Sequence, residues 1–164
     1  MTMRRDHHLF GHMQRKQNVL VRLTSTGDDG IRAATEELTR VIEQPHLQLV
    51  GLCGTLEPDI TDAHLVDTVV SRMIGLMEQV RRDHGVILTE LILEEGHDPS
   101  PGAGARLLHH DELIAAIDEA LDEACARNRF PRPSITLVTG PAVVAHPAEH
   151  DRSAVNPRQG EPIS

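Results

Sequence analysis

Aromatic side chains are nearly missing from this chain of 164 residues, which has two phenylalanines and neither tryptophan nor tyrosine. Its core must therefore be packed from Leu, Ile, Val, Met and Ala, a task within reach of one domain of this length. Cysteine is scarce as well. Cys53 and Cys125 stand too far apart to suggest a disulfide framework, in keeping with a reducing compartment. No apolar run reaches the length of a membrane span, and the opening "MTMRRDHHLFGHMQRK" lacks the apolar stretch of a signal peptide. The expectation is a soluble, cytoplasmic protein with no membrane partner. A basic stripe is missing too: the net charge is −9, which repels a phosphate backbone and argues against nucleic acid as a partner.

What the chain does have is a regular alternation. Asn18 to Thr24 is a short β-branched run closed by "STGDDG", after which Ile31, Ala34, Leu38, Val41 and Ile42 recur at helical spacing. Leu47 to Gly54 reads as a second strand. Thr61 can cap the next helix, whose stripe of Val66, Val69, Val70, Met73, Met77 and Val80 runs until Gly85 stops it. Val86 to Leu93 reads as a third strand, and Asp111 is the expected N-cap of a helix buried through Leu113, Ile117, Leu121 and Ala124 and ending near Asn128. "SITLV" and "AVVAH" supply a last extended segment. Apolar strands separated by helices indicate a parallel sheet with right-handed crossovers. The expected organisation is a flexible basic arm over residues 1–16, one α/β domain over 17–146 and a polar, disordered tail over 147–164.

Acids gather where the strands end. Asp28 and Asp29 follow the first strand, Glu57 and Asp59 the second, and Glu94, Glu95, His97 and Asp98 the third. Asp59, Glu94, Glu95, His97 and Asp98 together form a candidate site for a divalent cation with mixed oxygen and nitrogen ligands. Against it, Glu94 and Glu95 point to opposite faces if the strand continues through them, and acids at a loop mouth are commonly just solvated. His7, His8 and His12 read as an accidental or weakly metal-binding arm, His109 and His110 precede a helix start, and His146 and His150 flank "PAE" without a helical HExxH context. Cys53 is read as a small buried residue rather than a nucleophile, since nothing in the spacing fixes a His and an acid around it.

The order "QNVLVRLT", then "LQLVGL", then "ITDAHLVDTVVSRMIGLMEQVRRDHGVILTELIL", then "IDEALDEACARNRFPRPSITLVTGPAVVAHP" resembles the central part of the barrel domain of diaminopimelate decarboxylases. The resemblance implies an alanine-racemase-like (β/α)8 barrel that uses pyridoxal phosphate to turn meso-diaminopimelate into lysine. On that basis the fold class is α/β, a partial barrel of about four parallel strands alternating with three helices. The motifs that would carry the chemistry are degenerate. Cys53 and Thr55 stand where the family has two histidines; Glu94, Glu95 and Gly96 replace a triple-glycine phosphate loop; Val138, Thr139, Gly140 and Pro141 replace Glu-Pro-Gly-Arg. A phosphate cradle needs close backbone N–H groups and no opposing charge. The only lysine, Lys16, precedes the first strand.

Three functional expectations follow. The first is a non-catalytic interaction or assembly subunit that needs no cofactor, forming a homodimer or binding another protein through an exposed apolar sheet face of Val, Leu and Ile. The second is a residual or trans-complemented pyridoxal-phosphate decarboxylase of lysine biosynthesis. The third is a metal-dependent hydrolase using the acidic strand ends.

Overall fold

The computed structural model describes residues 15–56, 62–96 and 109–139. The elements alternate as β1 (Gln17–Leu23), α1 (Asp28–Ile42), β2 (Leu47–Leu56), α2 (Ala63–His84), β3 (Glu90–Glu95), α3 (His110–Asn128) and β4 (Ser134–Val138). All neighbouring strands pair in parallel, in the order β1-β2-β3-β4. No helix among the described residues is long and apolar enough to cross a membrane.

Strand alternation sorts the side chains between two unlike faces. Val21, Leu23, Leu52, Leu56, Leu91 and Leu93 are buried on the face covered by α1 and α2. Against them pack Val66, Val70, Met73, Ile74 and Met77 of α2, while α3 adds Leu113, Ile117, Leu121 and Ala124 by packing on α2. The core is thus aliphatic, as the composition requires. Phe130 joins it after α3 and lies under the Arg81 guanidinium, 5.9 Å from its ring centre. The one charged side chain buried among the described residues is Glu78, whose carboxylate accepts from Arg81 at 2.7 and 2.9 Å.

A bulge falls between Val19 and Leu20, where β2 advances an extra residue so that Leu49 faces Val19 but Gly51 faces Leu20. Gly51 has no room for a side chain: a Cβ there would lie 1.9 Å from the carbonyl oxygen of Glu90. Gly85, at φ 69°, ends α2 in the left-handed conformation with its N–H bonded to the Arg81 carbonyl.

Several sequence expectations need correction. The third strand runs Glu90–Glu95 rather than Val86 to Leu93; Leu88 is buried without being part of the regular ladder, so its hydrophobicity misplaced the strand start. The N-cap of α2 is Asp62, not Thr61, and its carboxylate accepts from the His64 N–H. The N-cap of α3 is His109 rather than Asp111, which lies in the first helical turn. There its negative charge favours the helix dipole. Residues 1–14 and 140–164 lie outside the described residues, and with them most of the basic arm, the tail and the "AVVAH" segment.

Candidate functional site

The face of the sheet left bare by the helices holds Leu20 and Arg22 of β1, Cys53 and Thr55 of β2, Glu90, Ile92 and Glu94 of β3, and Ser134, Thr136 and Val138 of β4. The expected apolar face of Val, Leu and Ile is therefore not what the strands present. Alternation sends most of the branched aliphatic residues toward the helices, and the opposite parity carries charges and hydroxyls.

At its centre, Arg22 reaches across β2 to Glu94. Its two terminal nitrogens donate to the two carboxylate oxygens at 2.6 and 2.7 Å, and one also approaches the Thr55 hydroxyl at 3.4 Å. The register explains the encounter: Arg22 lies level with Cys53 and Ile92, and Glu94 one step further on, level with Thr55 and Val138. Both charges sit near the C-terminal ends of parallel strands, where α/β folds usually place their sites. The hydrogen bonds from Arg22 hold the Glu94 carboxyl below its ordinary pKa, and Glu94 in turn raises that of Arg22. Cys53 lies buried beneath them. Burial pushes its thiol pKa up, the Arg22 charge opposes this, and Glu94 adds to it. Such a thiol is poorly suited to nucleophilic work, and Cys53 and Cys125 are both free and buried.

Glu94 and Glu95 were expected to stand in a loop; they are instead the last residues of β3, paired with Thr55 and Leu56. The ladder even continues into Gly96, whose N–H donates to the Leu56 carbonyl at 2.9 Å. Successive positions place Glu94 and Glu95 on opposite faces. Asp59, His97, Asp98 and Gly140 lie outside the described residues, among which no group of three or more His, Cys, Asp or Glu is arranged to hold a metal ion. Beside the ion pair, a cavity of about 250 Å³ opens at the ends of β1 and β2, with the hydroxyls of Thr24, Ser25, Thr26 and Thr55 above Val69.

Arg22 was missed in the sequence reading. The available signal is its place as the single charge inside the run "NVLVRLT", at a position alternating with buried Val21 and Leu23.

The pair gives a pH-dependent expectation. A carboxylate with a depressed folded pKa stabilises the fold above its unfolded pKa, and that contribution is lost as pH falls through the folded value. Half of the Arg22 side chain is exposed, so the contribution is at most about 1 kcal/mol. Glu94→Gln should be less stable than wild type by that order at pH 7, and the difference should shrink as the pH falls below the ordinary carboxylate range. Urea unfolding of both proteins over a descending pH series checks this; a difference that grows as the pH falls would contradict it.

No family model matches the chain. A diaminopimelate decarboxylase from Actinosynnema pretiosum subsp. auranticum is 32% identical over 114 residues, covering 68% of this chain and 25% of that protein. The crystal structure of diaminopimelate decarboxylase from M. jannaschi superposes with a TM-score of 0.57 at 12% identity, over 76% of this chain and 32% of that one. The biosynthetic arginine decarboxylase from Campylobacter jejuni gives 0.53 at 15% identity, over 75% and 22%. Lysine/ornithine decarboxylase from Vibrio vulnificus, complexed with cadaverine, gives 0.53 at 18% identity, over 74% and 32%. The chain spans about a quarter to a third of these proteins. It is a relative of diaminopimelate decarboxylase, and its described residues form four parallel strands and three helices of that barrel fold.

Proposed function

We propose that the chain is a non-catalytic relative of the decarboxylase barrel that works as an interaction or assembly subunit. The observation that carries this reading is the Arg22–Glu94 pair, which occupies the open face at the strand ends with charges satisfied by each other.

Pyridoxal phosphate, the cofactor implied by the resemblance, does not fit the residues present. An aldimine requires an amine at the C-terminal ends of the strands. The one lysine, Lys16, precedes β1 at the opposite end, roughly 20 Å from Arg22 along an extended strand. The Glu94 carboxylate, held ionised by Arg22, opposes a phosphate placed beside it. Cys53 and Thr55 offer the open face a buried thiol and a hydroxyl in place of imidazoles.

Purified chain mixed with pyridoxal phosphate should show only free-cofactor absorbance, with no borohydride-reducible adduct and no lysine released from diaminopimelate. A reducible aldimine band mapped to Lys16 would overturn the reading and restore the decarboxylase alternative.

A further inference from the structure

We draw no further inference here: the strongest candidate, the groove of about 690 Å³ between α1 and α2 lined by Ile31, Thr35, Thr39 and Gln79, carries nothing because its rim charges Asp28, Arg32 and Arg40 are paired within the chain and nothing among the described residues shows what covers it.

Discussion

Gly51→Ala is expected to destabilise the fold by roughly 3 kcal/mol or more, the upper part of the range for forcing atoms into a packed site. The added Cβ would sit 1.9 Å from the Glu90 carbonyl oxygen and 2.6 Å from its carbon. Those are backbone atoms of a paired strand and cannot swing aside. Relief would require β2 and β3 to separate at the start of their ladder, where Gly51 faces Glu90. Gly75, in the middle of α2, is the internal comparison because a Cβ there meets nothing within 4 Å. Gly75→Ala should stabilise the protein by about 0.5–1 kcal/mol through helix propensity and a less flexible unfolded chain. Urea unfolding of the two variants should shift the midpoint in opposite directions. Equal small losses would mean that β2 and β3 are not pressed together at this point.

Leu88→Ala should cost about 2–5 kcal/mol, while Ile87→Ala one residue earlier should cost no more than about 0.5 kcal/mol. Leu88 is fully buried and belongs to the core shared with α2, whereas Ile87 is 53% exposed. Both precede the regular part of β3, so neither effect is a strand-propensity effect, and the contrast isolates burial. Chemical denaturation of both single variants measures it. Comparable losses would place Ile87 in the core and contradict the described orientation of the segment.

The same stretch shows where the sequence stops being readable. The alternation of strands and helices, the aliphatic stripe of α2 and its stop at Gly85 follow from local periodicity and capping chemistry. The start of β3 does not, because "GVILTELIL" is apolar before and after the ladder begins, and hydrophobicity marks burial rather than hydrogen bonding. The composition of the bare face was misread for a related reason. β2 holds Leu, Val, Cys and Gly in an order that does not alternate cleanly, since the bulge beside Val19 shifts the parity. The Arg22–Glu94 pair lay out of reach altogether. Its members are 72 residues apart, and their meeting depends on two successive strand registers across β2 that no local pattern encodes. Once those registers are known, a lone Arg in one strand and an acid on the same face of another become partners.

The packing pattern of the elements has a further consequence. The substantial contacts join elements that are neighbours in the chain or next-but-one: each strand with the following strand, each helix with the following helix, and α1 and α2 with adjacent strands. Nothing described links the first unit to the last. Stability in such a chain is close to a sum of unit terms and nearest-neighbour terms, the bookkeeping of a repeat array rather than of a closed ring. The strand order, helix placement and one-sided core of the described residues are therefore held by interfaces inside the arc itself and need no contact across a ring.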